Sequence, residues 1–197
     1  MPMLNKIQDF FKRKILRDPQ ARWNHQYAKG VWEGLKNPIE FERQKVCKTF
    51  FEKHKPNGSL LEIGCGEGML IEYIFEGKGY GEYLGIDVSD LAIQNCQNLK
   101  NEHTNFIVAD MDNLVLNQKF DVILFNESIN YSANIPRLLA NCSQNILAKD
   151  GVFIMSLHQY KHSPQHWKEI HESLQTIDNQ QVANERSTWD VEVLKPM

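Results

Sequence analysis

An apolar run, Ser59-Leu60-Leu61-Glu62-Ile63, leads directly into three glycines at alternate positions, Gly64, Gly66 and Gly68. Leucine and isoleucine on both faces of a run of this length, with only Glu62 between them, fit a strand buried on both faces, and the glycines after it let the chain turn where a side chain would clash. The pattern then recurs. Strands are predicted at 59–64, 83–87, 104–110, 120–127 and 151–158, with helices through residue 76, over 89–100, around 134–147 and near 164–172. Ser89 or Asp90 stands where it can cap the helix over 89–100. Two polar, alternating segments at 173–182 and 188–194 read as an antiparallel pair. Continuous apolar strands separated by helices predict an α/β fold, with a mostly parallel sheet, helices on both faces and right-handed crossovers.

The first 55 residues differ. They carry 13 Lys and Arg against 6 Asp and Glu, whereas residues 56–197 carry 9 against 19. A helix is expected over 3–17, followed by an aromatic segment with Trp23, Tyr27 and Trp32. A second helix should run from Pro38 to His54 and stop at Lys55-Pro56-Asn57-Gly58. This predicts an N-terminal helical lid or substrate-binding segment (1–55) on a single cofactor-binding domain (56–197). The basic helices can pack on the acidic body, so that the two charges match internally. The net charge of −3 excludes nucleic-acid binding by bulk positive charge. No stretch reaches the roughly 18 to 20 apolar residues of a membrane span. Four scattered cysteines without a Cys-x-x-Cys pair fit reduced thiols in the cytoplasm.

Glycines after a buried strand let a ligand lie against bare backbone at a helix N-terminus. Asp87 ends the next strand, about 20 residues on, where a carboxylate can accept both hydroxyls of a ribose. A dinucleotide site would have Gly-x-Gly-x-x-Gly and no acid to repel pyrophosphate. Here Glu62 precedes the turn and Glu67 lies within it, which suits a ligand bearing a sulfonium and an ammonium. At the end of the third strand, Asp110 can accept from an adenine amine while Met111 covers the ring.

In the order and spacing of LEIGCGEG, GIDVS, VADMDNL, FDVILFNESINY and LAKDGVFIMSLH, the chain resembles the class I S-adenosylmethionine-dependent methyltransferases. The match is good over 59–158 and loose over the last 40 residues. The resemblance implies a Rossmann-like sheet of seven strands, the last antiparallel and inserted beside the fifth. It also implies S-adenosylmethionine as cofactor and S-adenosylhomocysteine as product. Gly64 and Gly66, with Glu62 and Cys65 beside them, would line the methionine portion. Asp87 and the adjacent Val88 would meet the ribose, Asp110 and Met111 the adenine, and Asn126 and Glu127 the sulfonium. Tyr27 can donate to the cofactor carboxylate. Cys65 reads as a small filler, not a nucleophile.

The fourth strand ends Asn126-Glu127-Ser128-Ile129-Asn130-Tyr131. This departs from the Asn/Asp-Pro-Pro-Tyr signature of enzymes that methylate base amines or protein glutamine. It also lacks the cysteine of cytosine C5 enzymes and the Asp-Ala-Asp of metal-dependent catechol enzymes. The remaining subgroup acts on small molecules and often carries Glu-x-x-x-Tyr here, which Glu127 and Tyr131 match. His158, at the end of the fifth strand, is the expected general base. His158, His162 and His166 are four residues apart, but Pro164 interrupts any helix that would align them, and no metal is expected. The expected function is methyl transfer to a hydroxyl or amine of a small molecule, such as a sugar or secondary metabolite, by a monomer or homodimer. Alternatives are an RNA or protein methyltransferase docking through the basic segment, a non-catalytic binding module of the same fold, and a protein anchored to a membrane surface by the basic helix over 3–17.

Overall fold

Seven strands form one sheet in the computed structural model, which describes residues 18–197 together with Lys12 and Leu16. The helix expected over 3–17 otherwise lies outside the described residues. The strands are β1 (Ser59–Ile63), β2 (Glu82–Asp87), β3 (Thr104–Val108), β4 (Phe120–Asn126), β5 (Leu147–His158), β6 (Leu174–Ala183) and β7 (Thr188–Pro196), in the order β3-β2-β1-β4-β5-β7-β6. The first five are mutually parallel, and β7 inserts antiparallel between β5 and β6. Because β1 pairs with β2 on one side and β4 on the other, the winding reverses there. A crevice opens beyond the carboxyl ends of strands at such a reversal.

Alternation sorts the apolar residues onto two faces. Leu61, Ile63, Ile123, Phe125, Phe153 and Met155 pack under α5 (Ile135–Asn141) and α6 (Ser163–His171). Leu60, Val122, Leu124, Val152 and Ile154 pack on the other face, under α2 (Phe41–His54) and α3 (Leu70–Phe75). Both faces are therefore covered, which is why the inner strands read as continuous apolar runs. The helix expected over 89–100 is shorter, with α4 (Asp90–Asn95) followed by one tight turn at Gln97–Leu99. Ser89 caps it, its Oγ accepting from the Ala92 N–H at 3.1 Å. Cys96 leaves helical geometry where it and Leu99 close against Gly68.

The segment before α2 contains a further helix, α1 (Pro19–Ala28), started by Asp18 and Pro19. It lies over the carboxyl ends of β1 and β2. Asn24 accepts from the Ser89 hydroxyl at 2.7 Å and donates to Asp90 at 2.6 Å, and Gln20 donates to the Val88 carbonyl at 3.2 Å. Lys36 pairs with Glu67 at 2.9 Å, and Lys53 pairs with Asp178 at 2.7 Å. Part of the basic excess thus faces the acidic body. Among the described residues, no helix is long and apolar enough to cross a membrane.

Candidate active site

The strand ends and α1 enclose a cavity of about 340 Å³. Its floor is the turn after β1. Gly64, Gly66 and Gly68 all have positive φ, at 79°, 57° and 77°. A Cβ on Gly64 would lie 2.5 Å from that of Ser128, and one on Gly66 would lie 2.9 Å from the Tyr27 hydroxyl oxygen. The first contact matters because the Ser128 hydroxyl donates to the Ile63 carbonyl and ties the loop after β4 to the end of β1. The second leaves bare backbone under the Tyr27 ring.

Asp87 closes one side. Its two carboxylate oxygens accept from the backbone N–H groups of Gly66 at 3.0 Å and Ser89 at 2.8 Å. Burial raises its pKa, and these N–H groups oppose the rise. Glu62 is buried on β1 and accepts from the Tyr83 hydroxyl at 2.6 Å; burial pushes it up from 4.5 to about 8. Asp110 accepts from the Asp112 N–H at 3.1 Å and the Asn113 amide at 2.9 Å, so it also organises the turn that carries Met111. Burial drives the Cys65 thiol and the Tyr27 hydroxyl upward, so both stay protonated.

The opposite wall is built from the ends of β4 and β5. Asn126 accepts from the Ser156 hydroxyl at 3.0 Å. Glu127 sits at φ 61°, and its Oε1 is buried without a partner. Burial raises Glu127 to about 7 against the pull of Arg43, the His158 N–H and Ser156. The His158 ring stacks on Tyr160, 6.2 Å between centroids, and tilts against Trp189 at 5.8 Å. At the mouth, Tyr131 meets Trp23 edge-on at 4.7 Å, and Trp23 lies 5.6 Å from Trp32.

Every residue expected to bind cofactor or take part in catalysis borders this one cavity: Tyr27, Glu62, Gly64, Cys65, Gly66, Asp87, Val88, Asp110, Met111, Asn126, Glu127, Tyr131 and His158. Arg43, Gln44 and Trp189 also line it and were not anticipated. Arg43 and Gln44 are polar residues of α2, and both are buried. One signal was present: Gln44, Cys47 and Phe51 share a helical stripe. His162 and His166 stand apart from the cavity, and His166 Nδ1 bonds the Tyr160 hydroxyl at 3.0 Å. Among the described residues no group of three or more His, Cys, Asp or Glu side chains forms a metal site.

The lining holds seven Asp and Glu side chains against one guanidinium; burial holds the proton on Glu62 up to about 8 and on Glu127 up to about 7, and the others keep the cavity acidic. With a glycine floor and a carboxylate at the end of β2, that chemistry fits a cationic, ribose-bearing cofactor such as S-adenosylmethionine and disfavours a pyrophosphate.

Residues 54–193 match the family model described as Methyltransferase domain. A malonyl-acyl-carrier-protein O-methyltransferase of Bacillus cereus is 29% identical over 132 residues, covering 65% of this chain and 46% of that protein. The chain spans about half the length of the curated relatives it matches. The N-methyltransferase NodS of Bradyrhizobium japonicum WM9, solved with S-adenosylhomocysteine, superposes with a TM-score of 0.71 at 19% identity, covering 84% of this chain and 91% of that one. The glycopeptide N-methyltransferase MtfA, also solved with S-adenosylhomocysteine, gives a TM-score of 0.63 at 14% identity, covering 78% and 90%. The family match, the seven-stranded topology and the acidic, glycine-floored cavity agree: the chain belongs to the class I S-adenosylmethionine-dependent methyltransferases.

Proposed function

We propose that the chain transfers a methyl group from S-adenosylmethionine to a hydroxyl or amine of a small molecule, with Glu127 as the proton acceptor. When bound, the cofactor supplies a methyl group already activated by a sulfonium. Asp87 and Val88 would hold its ribose, Asp110 and Met111 its adenine, and Glu62 with the Gly64–Gly66 turn its amino-acid end. Tyr27 would donate to the carboxylate of that end. Residues 18–55 act as a cover, α1 over the cofactor and α2 as a wall beside the acceptor, and exclude water.

The observation that carries the reading is the buried, unpartnered Glu127 Oε1, on a carboxylate that titrates near 7. A base is most effective when its pKa lies near working pH. This moves the proton-accepting role from His158 to Glu127, with His158 and Tyr131 shaping the acceptor space. The predominance of acidic side chains over the single guanidinium of Arg43 in the cavity lining favours a small acceptor over RNA.

S-adenosylhomocysteine formation from saturating S-adenosylmethionine, across a panel of hydroxyl and amine acceptors, tests this. Glu127→Gln should lower turnover about a hundredfold with S-adenosylhomocysteine affinity kept. If Glu127→Gln keeps turnover and His158→Ala loses it, the base is His158 and the assignment to Glu127 is wrong.

A further inference from the structure

Arg43 and Gln44 are adjacent residues of α2, and both border the cavity. Gln44 is wholly buried, yet neither its Nε2 nor its Oε1 has a hydrogen-bond partner. Arg43 is 3% exposed; its Nη1 donates to the Glu40 carbonyl at 2.8 Å, its guanidinium lies over Trp189 at 5.5 Å, and its Nε is unpartnered. A buried polar atom with no partner has given up its bonds to water for nothing, and native folds contain few. Gln44 shares its stripe with Cys47 and Phe51, which pack into the core, so an apolar side chain would serve packing better. Three such atoms on two neighbouring residues at one cavity are explained by a ligand that completes them.

The unpartnered atoms also define what that ligand presents. Including Trp32 Nε1 and Glu127 Oε1, the residues bordering the cavity hold three unpartnered donors and two unpartnered acceptors, all buried. A carboxylate would leave Gln44 Oε1 unpaired and add negative charge to an acidic cavity. An amine alone would leave the donors unpaired. An amide group satisfies both atoms of Gln44 at once, its N–H to Oε1 and its carbonyl oxygen to Nε2 or Arg43 Nε.

We propose that Gln44, with Arg43 beside it, determines acceptor specificity, and that the acceptor carries an amide next to the hydroxyl or amine that receives the methyl group. This rests on reading the cavity as a site of methyl transfer to small molecules. The test is calorimetry on the S-adenosylhomocysteine-loaded protein with 2-hydroxybenzamide, 2-hydroxybenzoate and phenol. The amide should bind at least ten times more tightly than either of the others. Gln44→Leu should bring it down to the level of phenol, with S-adenosylhomocysteine affinity unchanged and the urea midpoint equal or higher, because an unpaired amide is replaced by an apolar side chain of similar size. Gln44→Met is the second variant should the first not fold. Equal binding of the three probes, binding of none, or an amide preference that survives both variants would overturn the proposal and leave Gln44 satisfied by water alone. Turnover of acceptors lacking an amide, at rates indifferent to Gln44, would reject this inference and keep the methyl-transfer reading. An amide preference in binding with no turnover of any acceptor would do the reverse.

Discussion

Glu62 places a carboxyl group 2% exposed in the middle of the sheet, with the Tyr83 hydroxyl as its partner. Burial holds its pKa at about 8 against an ordinary 4.5; the Tyr83 bond and the Arg43 charge pull it down, and Asp87 pushes it up. Between those two pH values the folded protein keeps the proton and the unfolded chain has lost it. Stability contributed by this group is therefore complete below about pH 4.5 and falls as pH rises through 8. At 1.36 kcal/mol per unit, the loss is about 3 kcal/mol by pH 7 and about 5 kcal/mol once Glu62 ionises fully. Glu62→Gln is neutral at every pH and still offers Tyr83 an acceptor. Urea unfolding of both proteins at pH 5, 6, 7 and 8 isolates the effect, because Glu127 titrates alike in the two. The variant should gain on the parent by a few kcal/mol over that range. A difference that stays constant with pH, or a parent that gains as pH rises, would refute the reasoning.

Two further perturbations test the frame around the site. Gly64→Ala must adopt φ 79° with its Cβ 2.5 Å from that of Ser128. The left-handed backbone and the overpacking together should destabilise the protein by about 3 kcal/mol in chemical denaturation, and an unchanged midpoint would contradict the packing described. Asn24→Ala removes the bonds to Ser89 and Asp90 that hold α1 down. Amide hydrogen exchange in α1 should quicken about tenfold while the sheet is unaffected, and unchanged protection would mean that α1 is held elsewhere.

The parallel strands are legible in the sequence because covering both faces of a sheet turns each strand into an apolar run bounded by turn residues. The fifth strand starts at Leu147, ahead of its expected start at 151, and the exposed Lys149 and Asp150 break the apolar run that marks the rest of it. Helix α1 escapes a periodicity reading because none of its residues is buried; Trp23 and Tyr27, four apart, face the cavity instead of the core. Asp87 and the glycines are legible because their roles depend on backbone geometry at a strand end, which spacing records. Arg43 and Gln44 are not, because a polar side chain on the buried face of a helix looks in sequence like one facing water. Only the third dimension sets Gln44 at the border of the cavity.

The central claim is that the cavity beside Asp87 binds the methyl-donor cofactor, and calorimetric titration with S-adenosylhomocysteine tests it most directly. The parent should bind S-adenosylhomocysteine and not NAD. Asp87→Ala, with its folded state verified by circular dichroism, should lose about a hundredfold in affinity, the equivalent of about 3 kcal/mol for two hydrogen bonds to a carboxylate. An Asp87→Ala variant that binds S-adenosylhomocysteine within twofold of the parent, or a parent that prefers NAD, would contradict the account.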